Sequence, residues 1–229
     1  MNNFIELKNL SKTYFEKKNV KVLKKINYRF KLGKIYSLMG PSGSGKSTLL
    51  NIISLIDRPS KGLIRFQNNE VDFNNSQEND KFRAHNIGII YQQDNLLSDF
   101  TALENVYLAC LSAGYDKEFA INKAKNFLRK VGLSNRLNHY PSELSGGEKQ
   151  RVSISRALIN EPRIILADEP TGSLDKKTSI EIFRLLKKQI NRQRLIIFAT
   201  HNRFLANKSD CLLEIVDGNI KSTNVRVRT

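Results

Sequence analysis

Strand-like alternation of apolar and polar residues opens the chain, at Phe4, Ile5 and Leu7 and again from Val22 to Phe30. A turn at Gly33 leads into an apolar run, 35–39, that predicts a buried strand. Glycines then punctuate the chain from Gly40, after which Thr48, Leu49, Ile52, Ile53 and Ile56 follow helical spacing until Pro59 and Gly62 close the unit. Segments 62–66 and 87–91 are candidate strands, separated by a polar stretch rich in Asn and Asp that reads as a loop with one short helix. Helical periodicity runs throughout 101–131 and predicts a mainly helical insert. The second half alternates again: helix 146–160, strand 164–167, helix 177–189, strand 195–199 and strand 212–216. Such alternation calls for a largely parallel sheet covered by helices, an α/β class. No internal repeat, heptad run or low-complexity linker interrupts it.

Composition narrows the setting. A chain of 229 residues, 40% hydrophobic, is long enough for one cooperative unit. No run approaches the roughly 18 consecutive apolar residues of a membrane span. The start, MNNFIELKNLSK, carries charges where a signal peptide has its apolar stretch. The expectation is a cytosolic chain whose membrane role comes through a partner. Cys110 and Cys211 lie far apart among apolar neighbours, without a second ligand at metal spacing, and read as buried structural thiols. The formal charge of +16 attracts nucleic acid, anionic lipid or nucleotide phosphate without choosing among them. Because the cations are spread along the chain, a solvated Lys-rich surface is favoured over nucleic-acid recognition; only Lys221 through Arg228 is locally basic.

Chemistry concentrates in three places. Gly40, Pro41, Ser42, Gly43, Ser44, Gly45, Lys46, Ser47 and Thr48 fit the phosphate-binding loop pattern of Gly, four residues, then Gly-Lys-Ser. Glycines let the backbone form a nest of N–H donors, aided by the positive end of the following helix. Lys46 is expected to reach the β- and γ-phosphates of ATP, and the Ser47 hydroxyl to bind Mg2+. Chance alone gives such a match in on the order of one chain in a hundred of this length. Downstream, the apolar strand from Ile164 ends in Asp168 and Glu169. Asp168 suits Mg2+, and Glu169 can polarise an attacking water. Alone, an acidic pair after a strand is more often a helix cap or a surface pair; beside a phosphate loop the catalytic reading prevails. Between these segments stands Leu144-Ser145-Gly146-Gly147-Glu148. Ser145 with Glu148 three residues on makes a capping box, which leaves the two adjacent glycines unexplained.

Leu144 through Glu148 also matches the signature sequence of ABC ATPases, about a hundred residues after Lys46 as in that family. The resemblance covers the chain from Tyr14 to His201. It implies a P-loop NTPase fold with a RecA-like core (roughly 1–92 and 160–229), a small antiparallel β subdomain and a helical signature subdomain (roughly 93–159), all within a single 1–229 domain. It further implies that Ser145, Gly146 and Gly147 of one protomer close over the γ-phosphate held by the other, so that a homodimer is part of catalysis. Tyr14, read as lying in a polar turn after a strand, resembles the aromatic that stacks on adenine; an exposed tyrosine without a role is the plain alternative. Gln92 resembles the glutamine that contacts Mg2+ or the attacking water, and Ser173-Leu174-Asp175 resembles the segment that crosses the dimer interface in this family. His201 resembles the histidine that holds the γ-phosphate, although Asn202 replaces the usual Asp after it. His85 and His139 match no role.

Segments 99–106, 141–144 and 169–175 look like the lipoprotein-releasing (LolD-type) ABC ATPases, with macrolide-efflux and cell-division ATPases as sister groups; Ser173 replaces a common Asn. That resemblance implies a peripheral subunit on the cytoplasmic side of the bacterial inner membrane. It would couple ATP hydrolysis to integral membrane subunits that hold the lipoprotein substrate, with contact to them running through 92–106. DNA-repair and chromosome ATPases insert a long coiled coil or zinc module before the signature; the interval here is too short and lacks both, so no specific nucleic-acid partner is expected.

Overall fold

The computed structural model describes residues 3–15 and 19–225, so the basic end from Lys221 to Arg228 lies partly outside the described residues. Two compact units divide the chain: one runs to Asp80 and resumes at Gln189, the other spans Lys81–Lys188. The first contributes β1 (Asn3–Phe15), β2 (Asn19–Lys31), β3 (Ile35–Met39), α1 (Lys46–Ile53), β4 (Lys61–Phe66) and β5 (Asn69–Glu70). Helix α2 (Ser76–Asn86) crosses the boundary. The second contributes β6 (Ile87–Ile90), α3 (Ala102–Ser112), α4 (Lys117–Lys130), α5 (Gly146–Leu158), β7 (Ile164–Asp168) and α6 (Lys176–Lys187). The first unit then adds β8 (Leu195–Ala199), α7 (Arg203–Ala206), β9 (Cys211–Val216) and β10 (Asn219–Val225).

In the first unit the opening alternation becomes an antiparallel sheet ordered β2-β1-β4-β5. Ile5, Leu7, Leu10, Leu23, Ile26 and Phe30 are buried in it, with register shifts between Leu7 and Leu10 and around Lys12 breaking the strict period of two. β3 is buried over four of its five residues because it pairs in parallel with both β8 and β9. Phe30 and Tyr36 meet edge to face at 4.9 Å, and the Tyr36 hydroxyl accepts from the Lys31 amide at 2.8 Å, which joins the antiparallel sheet to the parallel strands.

The second unit holds the parallel pair β6 and β7, with α5 packed on β6. The helical run expected over 101–131 is two helices. Gly114, at φ 85°, and the Asp116 N-cap interrupt it, the cap accepting from the Glu118 and Phe119 amides. Helices α3, α4 and α5 close around Val106, Cys110, Ala120, Ala124, Leu128 and Val152. A fully buried leucine such as Leu128 contributes about 2 kcal/mol. Both cysteines are buried and free, and burial pushes each thiol upward from its ordinary range.

The short helix expected in the polar stretch is α2, 11 residues long with none of them buried, so it carries no apolar stripe. β10 returns from β9 through Asp217 and Gly218, both at positive φ, the two-residue hairpin turn that an Asp-Gly pair encodes.

Candidate active site

β3 delivers the phosphate loop. Gly45 is the N-cap of α1 at φ 102°, and a Cβ there would come within 2.9 Å of Val22 and Leu23, so both conformation and space demand glycine. Ser44 donates its amide to the Pro41 carbonyl at 3.2 Å, and Lys46 Nζ donates to the carbonyls of Gly40 at 2.9 Å and Pro41 at 3.0 Å. The ammonium thus braces the loop from within. Helix α1 has no side-chain cap and no acid in its first turn. Its first amides and positive end are left for an anion. Ser44 Oγ is buried without a partner among the described residues, an orphaned group that a phosphate oxygen would satisfy.

The same unit places His201. Leu38 and Ala199 are parallel partners, and the Thr200 amide donates to the Leu38 carbonyl at 3.1 Å. His201 therefore leaves β8 at the sheet end where β3 enters the loop, the end at which open α/β sheets bind ligands. Asn202, the residue that departs from the family pattern, still caps α7: its side chain accepts from the Leu205 amide at 3.2 Å.

Tyr14 lies inside β1, paired with Val20, and not in a turn as the sequence suggested. Its hydroxyl donates to Asp57 Oδ2 at 3.0 Å, and Lys12 Nζ sits 4.8 Å from the ring centroid. Beside it opens a cleft of about 1060 Å³ lined by Lys12, Lys21, Lys25, Arg58 and Lys61. None of 40–48 lines that cleft, so its positive field draws polyanions toward this face without forming the phosphate nest.

In the second unit, Ile90 and Ala167 are parallel partners, so Gln92 and the pair Asp168 and Glu169 emerge at one end of β6 and β7. A Cβ on Gly172 would stand 3.1 Å from Gln92 Nε2 and 3.4 Å from the Glu169 carbonyl, which puts the glutamine against the turn after β7. Glu169 has φ 47°. A left-handed non-glycine residue costs on the order of 1 kcal/mol or more, and here it turns the chain sharply at the end of the strand. Asp175 caps α6, accepting from the Lys177 and Thr178 amides. The Thr178 hydroxyl and amide bonds hold its carboxyl below the usual range.

The signature segment forms the expected capping box. Ser145 Oγ accepts from the Glu148 amide at 3.3 Å, and Glu148 Oε2 accepts from the Ser145 amide at 2.8 Å. Arg136, unsuspected from the sequence, donates to Glu148 Oε1 at 2.9 Å. The Ser145 amide foremost, then Arg136, pushes the Glu148 carboxyl down to about 2. The two glycines separate cleanly. A Cβ on Gly147 would lie 2.9 Å from the Thr178 methyl, so packing of α5 on α6 explains it. A Cβ on Gly146 would meet only Leu174 at an ordinary 3.6 Å, so nothing within the protomer requires that glycine.

Comparison with known proteins agrees with these features. The family model described as ABC transporter matches residues 23–172. Over 216 residues the chain is 48% identical to the lipoprotein-releasing system ATP-binding protein LolD of Rickettsia conorii, covering 93% of this chain and 96% of that one. It is 43% identical over 206 residues to the macrolide export ATP-binding/permease protein MacB of Bartonella henselae, covering 90% of this chain but 31% of that one. A solved dimer of the ATP-binding cassette MJ0796, in a post-hydrolysis state bound to ADP and Pi, superposes with a TM-score of 0.88 at 38% identity, covering 98% of this chain and all of that one. With a phosphate loop, an acid-tipped strand and a capped signature helix all in place, the chain belongs to the ABC transporter family as an ATP-binding, ATP-hydrolysing cassette.

Proposed function

We propose that this chain powers a lipoprotein-releasing transport complex as a homodimer bound to integral membrane subunits. The observation that carries nucleotide binding is the open N-terminus of α1 beside the orphaned Ser44 hydroxyl. The near-full-length likeness to LolD supports the choice of system, whereas the MacB relative is about three times longer than the segment it shares with this chain. No helix among the described residues is long and apolar enough to cross a membrane. That fits a peripheral subunit on the cytoplasmic side, with the lipoprotein held by the membrane partners.

Lys46 exchanges the Gly40 and Pro41 carbonyls for the β- and γ-phosphates, and the amides of 43–48 with the Ser44 hydroxyl cradle them. Ser47 in one unit, and Asp168 and Gln92 in the other, carry the oxygen donors that would hold Mg2+. When bound, Mg2+ spreads the charge of the phosphates. Tyr14 stacks the base, Glu169 orients the attacking water, and His201 donates to the γ-phosphate. Ser145, Gly146 and Asp175 serve the partner's nucleotide across the dimer interface. The spare volume at Gly146 supports this reading, because an approaching ligand needs it and the protomer does not.

The test is to purify the Glu169→Gln form from native membranes with ATP present and identify its companions by mass spectrometry. Membrane subunits with large periplasmic domains together with lipoproteins are expected. Recovery of a drug-efflux or cell-division partner instead moves the chain to a sister system, and nucleic acid without membrane protein overturns the transport assignment.

A further inference from the structure

We propose that Lys12 and Asp57 are positioning residues that clamp Tyr14 as a rigid platform for the nucleotide base and tie it to the segment that follows the helix of the phosphate loop. The inference rests on the reading of Tyr14 as the base-stacking aromatic and adds the machinery that holds it.

Two contacts meet on this side chain. Its hydroxyl donates to Asp57 Oδ2 at 3.0 Å. Lys12 covers its ring at 4.8 Å. Lys12 is itself fixed: Nζ donates to Asp57 Oδ1 at 2.5 Å and to the Arg58 carbonyl at 2.9 Å, and its side chain is only 10% exposed. Asp57 Oδ1 also accepts from the Arg58 amide at 2.8 Å. Burial raises the Asp57 carboxyl, but the Lys12 and Tyr14 hydrogen bonds outweigh it and hold the group below its usual range, hence charged. Tyr14 keeps its proton, since burial raises its hydroxyl above the ordinary value.

The placement matters more than any one bond. Asp57 follows α1, and its amide donates to the Asn51 carbonyl of that helix at 3.1 Å. The far end of the phosphate-binding helix is therefore tied to a tyrosine on β1. A free tyrosine loses rotamer freedom when a base stacks on it, whereas a clamped one has already lost it. The ammonium sits over the ring, and Tyr14 remains exposed and lines the cleft beside it. Stacking without hydrogen bonds to the base edge favours any purine over no base at all. The clamp should thus act on ATP and GTP alike and not on a triphosphate lacking a base.

The experiment measures equilibrium binding of ATP and of inorganic tripolyphosphate to the full chain in the Glu169→Gln background. Asp57→Asn, Lys12→Met and Tyr14→Phe are expected to weaken ATP about three- to tenfold while tripolyphosphate stays within about twofold. In the hydrolysing chain, the same changes should raise KM and spare kcat. Asp57→Asn that binds ATP like its parent, or that weakens both ligands equally, overturns the clamp. Should Asp57→Asn fail to fold, Tyr14→Phe carries the test, since it keeps the ring and loses only the hydroxyl. Tyr14→Ala separates the two levels. If it leaves ATP binding unchanged, the base-platform reading fails; if it weakens ATP while Asp57→Asn and Tyr14→Phe do not, only the clamp fails.

Discussion

Two helix N-termini in this chain solve one physical problem in opposite ways. Both α1 and α5 begin with amides that have no partner inside their own helix. At α5 the chain answers from within: Ser145 and Glu148 cap each other, and Arg136 pins the carboxylate. At α1 the N-cap is Gly45, with neither a side-chain cap nor an acid nearby, while Lys46 adds a cation to the positive end. An interior carboxylate already complements the dipole of α5, whereas the end of α1 waits for an anion brought from outside. The lesson is that a glycine-rich helix start is not one kind of site. The capping box of α5 uses the amides of Ser145 and Glu148 and leaves those of Gly146 and Gly147 outside it. The anion-binding role proposed for it across a dimer interface would therefore fall to its first two residues.

The sharpest way to break the contrast is Lys46→Ala. It removes the one cation of the open end, and ATP binding followed by calorimetry should weaken by about 30- to 100-fold. Ser145→Arg attacks the other end. It should cost about 1 kcal/mol of stability through the lost cap, leave ATP binding to the monomer unchanged, and cut turnover by more than about tenfold by blocking the shared site. Steady-state hydrolysis against protein concentration checks this; a monomer turning over at a concentration-independent specific rate sinks the shared-site model.

The glycines give a finer test. Gly147→Ala should destabilise by about 1–3 kcal/mol in urea unfolding, because its methyl meets Thr178. Gly146→Ala should leave stability unchanged or raise it by less than about 1 kcal/mol, yet lower hydrolysis. Equal losses of stability in the two variants would refute the distinction. The smallest effect belongs to Glu148→Gln, expected to cost about 0.5–1 kcal/mol. Because the folded state depresses this carboxyl to about 2, its contribution is complete above the ordinary carboxylate range and disappears as pH falls toward 2. The variant should therefore narrow its gap to the parent across that acid interval, as read by denaturation at a series of pH values.

Much of this was legible in the sequence, and the boundary follows a physical line. The phosphate loop, the capping box of Ser145 and Glu148, and the acid pair after β7 are each closed by groups within a few residues, so spacing alone encodes their geometry. β8 was read at its true limits because five apolar residues between polar flanks admit little else. Tertiary structure decided the rest. Tyr14 finds Asp57 at a separation of 43 residues, and Gln150 reaches the Tyr91 carbonyl across 59. Thr178 forbids a side chain at Gly147 from a different helix. The limits of helix α2 could not be read from spacing because it buries nothing, and the Asp-Gly turn before β10 was a local signal passed over in a polar segment. Sequence by itself determined which residues are proposed to handle phosphate, since that chemistry is carried by contiguous backbone. Only the folded chain decided what holds the tyrosine and which glycine is free for a ligand, because those answers depend on partners that no spacing along the chain records.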